Sequence, residues 1–290
     1  MNVKFLKSPL RYPGGKSRAI KILKDFIPKD FSEYREPFFG GGSIGIYLWQ
    51  DLNQTHSLYK QNTENMPFLA NDLNKDLYCF WQVLKTQNKE MISEIQKIKT
   101  HYKNGKILYE ELKSRRDGNL SKFQRAVDFF ILNRITFSGV VDCGGYSAKA
   151  FETRFTQSSI DRLKNMDTIL QNFVFSNESY ETLLQKKGEN VFIFLDPPYF
   201  SAKKSKLYGR NGDLHTNFNH EKLHEQLKNC PHNFLLTCDN SPYIRELYKD
   251  FFVQEYSLQY GMNNYKQQKA NLGEEVLISN FPTKNMLCSA

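Results

Sequence analysis

The chain has 290 residues, 40% of them hydrophobic, enough for one large α/β domain or a core carrying a smaller inserted one. Its longest apolar run is only about five residues against the ~20 that a membrane-spanning helix needs, and Pro9, Arg11 and Pro13 stand where a signal peptide needs an apolar stretch, so a cytoplasmic protein is expected. The formal net charge of +9 is concentrated between residues 80 and 165, where 16 Lys and Arg face 9 Asp and Glu; a polyanionic partner or a solvated helical surface accounts for that excess.

The five cysteines (Cys79, Cys143, Cys230, Cys238 and Cys288) are scattered and never spaced Cys-x-x-Cys, which argues against a disulfide framework and a zinc knuckle. Near the N-terminus, Leu10-Arg11-Tyr12-Pro13-Gly14-Gly15-Lys16-Ser17 ends in Gly-Lys-Ser but is no P-loop, because that motif needs glycine where Leu10 stands. A glycine turn delivering Lys16 towards a carboxylate or phosphate, or a plain helix-entry turn, fits it, with a helix over 17–27. Glu36-Pro37-Phe38-Phe39-Gly40-Gly41-Gly42-Ser43 and the apolar Ile44, Ile46, Leu48 and Trp49 read as a first strand, a glycine loop and a helix capped by Ser43. The loop is not the Gly-x-Gly-x-x-Gly fingerprint, so a cofactor without phosphates suits it at least as well.

Residues 51–66 read as a polar surface loop. Phe68-Leu69-Ala70 is a short strand ending at Asn71-Asp72, where Asp72 is either a ribose-hydroxyl acceptor or a helix N-cap. Helical spacing then dominates: Lys75–Leu84, Met91–Tyr102, Ile107–Leu112 and Ser121–Thr136, the last opened by a Ser121/Gln124 capping box. Helices without strands inside an α/β chain predict an inserted helical domain, with catalytic residues 1–76 and 166–290 around an insert of 77–165. Its end, Phe137-Ser138-Gly139 followed by Gly144-Gly145-Tyr146-Ser147 and Arg154-Phe155, suits either a hairpin entering a DNA groove or a solvated loop. Strands are expected again at 173–175, 191–195, 234–237, 252–258 and 275–281, the last two antiparallel. Helices are expected at 180–184, 220–229 and 242–250, and a basic loop at 200–217.

Val191-Phe192-Ile193-Phe194-Leu195 is a buried parallel strand that must stop at Asp196, since Pro197 and Pro198 cannot donate to a ladder. Asp196-Pro197-Pro198-Tyr199 therefore sets a carboxylate, a free peptide carbonyl and an aromatic face at a strand's C-terminal end, where α/β sheets bind ligands. Two acceptors and a ring can hold a planar group bearing an amine; a merely structural turn is the plain alternative. His220-Glu221-Lys222-Leu223-His224 matches His-Glu-x-x-His. It opens a short helix capped by Asn219, where the dipole disfavours a cation, so a polar, solvated helix start is expected rather than a zinc hydrolase.

Together, Arg11 to Lys16, Glu36 to Ser43, Asn71-Asp72 and Asp196 to Tyr199, in this order, resemble the Dam-like DNA adenine-N6 methyltransferases across nearly the whole chain. The resemblance implies an S-adenosylmethionine-dependent, Rossmann-like α/β sheet with an inserted helical target-recognition domain. It implies S-adenosylmethionine held by Tyr12, Lys16, Phe38, Gly40, Gly42, Asp72 and Asp196, with Asp196, Pro197 and Tyr199 acting on the amino group of a flipped adenine. Double-stranded DNA would be met by Arg134, Ser138, Tyr146, Lys149 and Arg154, and a cognate restriction endonuclease could accompany the enzyme. Two departures stand out: Ser179-Tyr180 replaces the usual Asp-aromatic pair ending the third strand, and Cys143 to Ser147 replaces the arginine and asparagine that follow Asn133-Arg134 and Phe137-Ser138-Gly139 in GATC-methylating members. GATC is therefore not an expected target. A catalytically silent DNA-binding relative and cytosine-N4 methylation remain alternatives.

Overall fold

The computed structural model describes residues 5–53, 66–202, 218–259 and 272–283. Seven strands, β1 (Glu33–Glu36), β2 (Phe68–Asn71), β3 (Phe173–Ser176), β4 (Val191–Leu195), β5 (Asn233–Asp239), β6 (Phe252–Gln259) and β7 (Leu272–Ser279), form one sheet in the order β3-β2-β1-β4-β5-β7-β6. β7 is antiparallel to both neighbours and every other pair is parallel, as the α/β reading expects. All five residues of β4 are buried, because it is central and both faces of the sheet are covered.

One face carries Tyr34, Phe68, Phe173, Phe192, Phe194 and Leu235. The same apolar cluster continues into α2 (Ser43–Leu52) and the helices between β2 and β3: α3 (Lys75–Thr86), α4 (Asn88–His101), α5 (Gly105–Arg115), α6 (Lys122–Ile135), α7 (Ala148–Arg154), α8 (Gln157–Asp161) and α9 (Met166–Leu170). α6 opens with the expected capping box of Ser121 and Gln124. The other face packs Val191, Ile193, Leu195 and Leu236 on α10 (Glu181–Gln185), α11 (His220–Lys228) and α12 (Pro242–Leu247). Arg35, fully buried in β1, is tolerated on this face because its guanidinium donates to the carbonyls of Leu183 and Lys186, both at 2.7 Å.

Three expectations are corrected. The helix over 17–27 is only a 3₁₀ turn, Lys16–Arg18, and a four-residue helix, α1 (Ile20–Leu23). Ser43 does not cap α2. The cap position is Gly42 at φ +66, a left-handed conformation in which a Cβ would lie 2.6 Å from the Phe39 ring, and Ser43 instead bonds Ser17 Oγ at 2.9 Å. The start of α11 is not solvated: His220 and His224 are buried, packed against Phe218, Phe200, Tyr248 and Phe251. Most of the two expected loops, 54–65 and 203–217, lies outside the described residues.

Candidate active site

The sheet order reverses between β1 and β4, whose chains continue to opposite sides; a crevice opens at their C-terminal ends for that reason. A cleft of about 760 Å³ lies there. All nine cofactor and catalytic candidates line it: Tyr12, Lys16, Phe38, Gly40, Gly42, Asp72, Asp196, Pro197 and Tyr199. Four sequence stretches separated by up to about 180 residues thus meet at one place.

At its base, Lys16 Nζ lies 2.7 Å from Asp196 Oδ1, and the Thr237 hydroxyl reaches the same oxygen at 2.7 Å. Lys16 is only 4% exposed, with its ammonium 4.8 Å from the centre of the Tyr199 ring. A buried lysine needs such a partner, since an unpaired charge there costs several kcal/mol. Both protein donors act on Oδ1, so the geometry suits Oδ2 and the Pro197 carbonyl as acceptors for a bound amine. Burial pushes the Tyr199 phenol well above its ordinary value, keeping the ring neutral.

The opposite wall is the glycine loop. Asp72 Oδ2 accepts from the Gly40 amide and Oδ1 from the Asn74 amide, both at 2.9 Å. Burial, opposed by these two bonds, raises the Asp72 carboxyl to about 6. Asn74, not Asp72, is the side-chain cap of α3, accepting from the amides of Asp76 and Leu77. Gly40 sits at φ +48, and a Cβ there would lie 2.7 Å from the Tyr12 ring. That glycine lets the N-terminal segment close on the loop. Further along, Phe38 packs on Tyr180 and Phe218 at centroid distances of 5.2 and 5.6 Å, while Ser179 Oγ bonds the Glu181 carboxylate.

Of the DNA-contact candidates, Ser138 lines the cleft in a left-handed conformation, φ 54. Tyr146 forms an antiparallel bridge with Thr136, giving the expected hairpin its one described rung, and Lys149 and Arg154 are exposed. Arg134 is buried: its guanidinium stacks on Phe130, and its Nε and Nη2 have no hydrogen-bond partner among the described residues. Desolvation, then Arg162, Arg11 and Arg154, lowers it to about 9. Asn133 beside it is a clamp, bonding the backbone of Arg11 in both directions and the Gly139 carbonyl.

Several site residues escape the sequence reading. Thr237 is one; its only signal is a hydroxyl in an apolar strand. Phe137, read only as part of the Phe137-Ser138-Gly139 turn, is 71% exposed beside Ser138. Tyr256 and Glu275, buried on β6 and β7, stand behind Tyr199. The His-Glu-x-x-His stretch contributes nothing here. Glu221 binds the Tyr243 hydroxyl, and no group of three or more metal-ligating side chains occurs among the described residues.

The chain is similar to known DNA methyltransferases. The chain is 23% identical to the Type II methyltransferase M.CviBI of Paramecium bursaria Chlorella virus NC1A over 97% of its own length and 100% of that protein's. It is 22% identical to the Type II methyltransferase M1.LlaDCHI of Lactococcus lactis subsp. cremoris, covering 93% and 94% of the two chains. A DNA adenine methylase of Vibrio cholerae is 25% identical over 66% of this chain and 64% of the relative. The family model of the D12 class N6 adenine-specific DNA methyltransferases matches residues 12–264. On that match, which covers most of its length, the chain belongs to this family and is an adenine-specific DNA methyltransferase.

Proposed function

We propose that the enzyme transfers a methyl group from S-adenosylmethionine to the N6 amine of an adenine flipped out of a short duplex sequence. The observation that carries this is the convergence of Lys16 and Thr237 on Asp196 Oδ1 across the cleft from Asp72. The residues fit the cofactor. The cleft is mostly apolar, walled by Tyr12, Phe38 and Tyr180, with a half-buried carboxylate at Asp72 whose remaining lone pairs suit ribose hydroxyls. Tyr12, Lys16, Phe38, Gly40, Gly42, Asp72 and Asp196 would hold it. When bound, it supplies an electrophilic methyl group on a sulfonium.

The chain's own residues do the rest. Adenine's amine is a poor nucleophile because its lone pair is delocalised into the ring. Asp196 Oδ2 and the Pro197 carbonyl accept its two hydrogens, which turns the nitrogen towards tetrahedral geometry and favours positive charge on it. The proton lost from the methylated nitrogen leaves along the bond to Asp196. Tyr199 stacks on the base, which is out of reach inside a duplex. Phe137, exposed beside Ser138, would fill the gap a flipped base leaves, as apolar wedges do.

Residues 77–165 would form the target-recognition segment, with Ser138 at the cleft mouth, Tyr146 on the hairpin, the exposed Lys149 and Arg154 of α7 near the phosphates and Arg134 buried beside Arg154. Relatives named Type II methyltransferases support a role beside a separate restriction endonuclease. No helix of the described residues is long and apolar enough to cross a membrane, and a cytoplasmic setting fits an enzyme that acts on DNA. Incubation with unmethylated DNA and methyl-labelled S-adenosylmethionine, followed by single-molecule sequencing, should show N6-methyladenine in one short motif. No modified base despite measurable cofactor binding would overturn the proposal.

A further inference from the structure

The catalytic turn has a second carboxylate behind it. Glu275 is 1% exposed on β7, its Oε2 accepts from the Tyr256 hydroxyl of β6, and the buried Tyr199 lies in the electrostatic field of both. Strand register fixes this arrangement. Asp239, Glu275 and Tyr256 are partners across β5, β7 and β6, so their side chains share the face on which Thr237 reaches Asp196. Among the described residues, the charged and titratable groups facing Glu275 are Lys16 from the N-terminal segment, Asp196 and Tyr199 from the turn after β4, Asp239 from β5 and Tyr256 from β6, with Cys238 on the opposite face of β5. One ammonium, that of Lys16, thus lies in the field of both Asp196 and Glu275.

The geometry points to Glu275 as a positioning residue for methyl transfer, held by Tyr256 on the face of the sheet behind the Asp196 turn and sharing the Lys16 charge so that Asp196 stays a strong acceptor for the adenine amine. This rests on the function proposed above and goes beyond it. Ionised, Glu275 offsets Lys16 and adds negative charge to the site beside Asp196, which favours the positive charge that develops on N6. Protonated, it leaves Lys16 to Asp196 alone, and the acceptor weakens. Burial raises the Glu275 carboxyl and Asp196 adds to that, while Lys16 and the two tyrosine hydroxyls lower it. Activity is therefore lost as pH falls through a value above the ordinary carboxylate range.

The test is single-turnover methylation of adenine in duplex DNA at saturating S-adenosylmethionine, from pH 5 to 9, for the unsubstituted enzyme, Glu275→Gln and Tyr256→Phe. Glu275→Gln, nearly isosteric, should slow transfer on the order of tenfold at pH 8 and flatten the acid limb. Its cofactor Kd should stay within about twofold. Tyr256→Phe removes a bond that lowers the Glu275 carboxyl, so the acid limb should persist and move to higher pH. A purely structural Glu275 would change stability without moving either limb. Wild-type rates and an unshifted acid limb in Glu275→Gln would overturn the inference while leaving the function intact. Should Glu275→Gln fail to fold, an unmoved limb in Tyr256→Phe would overturn it equally. Absence of methylation by the unsubstituted enzyme would overturn the function and the inference together.

Discussion

Asp72 shows what a single side chain can be asked to do. Its carboxylate already satisfies the amides of Gly40 and Asn74, and burial has raised it from 3.8 to about 6. Ribose hydroxyls donate best to the ionised form, so cofactor binding should strengthen as pH rises through about 6 and weaken below it. Asp72→Asn should bind S-adenosylmethionine ~10–100-fold more weakly, the cost of hydrogen bonds to a charged acceptor, and lose the pH dependence; calorimetric titration between pH 5 and 8 measures both. A dependence unchanged in the variant would place the titrating group elsewhere. Thr237→Val tests the other wall. It keeps the shape of the side chain and deletes one donor to Asp196, so kcat should fall several-fold with cofactor affinity preserved. Equal losses in both would mean that the substitution had shifted β5 itself.

At the scale of elements, what was legible in the sequence depended on whether the signal was local. β4 and its turn could be read because five apolar residues, then two prolines, fix a buried strand and its end within nine positions. The glycine loop was legible for the same reason. β1, with the sequence Glu-Tyr-Arg-Glu, carries no apolar run, and Arg35 is tolerable there because of its ion pair with Glu33 and the carbonyls of residues 183, 186 and 187. Thr237, Tyr256 and Glu275 reach the site only through the sheet order β4-β5-β7-β6, which no local pattern encodes. Asn133 was visible as part of a motif but not as a clamp. Fully buried at the end of α6, it bonds Arg11 twice and Gly139 once, tying the segment that carries Tyr12 and Lys16 to the helices. Asn133→Ala should cost about 2–3 kcal/mol at roughly 1 kcal/mol per bond and weaken cofactor binding as that segment loosens. Chemical denaturation and cofactor titration test the two effects separately, and a stability loss without loss of binding would limit Asn133 to folding.

Across the whole molecule, the excess of positive charge is not evenly solvated. Arg134 from α6 is buried near Arg11 of the N-terminal segment, Arg154 at the end of α7 and Arg162 after α8, with two guanidinium nitrogens unmatched by any protein acceptor among the described residues. A buried cation among like charges is destabilising on its own, and replacing such a group by an apolar one of similar size can stabilise by about 1–4 kcal/mol. A DNA phosphate held at the surface by the exposed Arg154 would offset that cost through its field on the cluster, and condensed counterions are released as it docks. Arg134→Met should therefore act in opposite directions on the two states. The free enzyme should melt at a higher temperature, while duplex binding weakens and its salt dependence becomes shallower by about one unit in the slope of log K against log salt. A variant less stable without DNA would show that the protein itself already satisfies Arg134. A variant more stable but equally tight on DNA would remove the phosphate from the account. Only the crossed outcome fits a binding surface whose electrostatic strain is relieved when the duplex arrives.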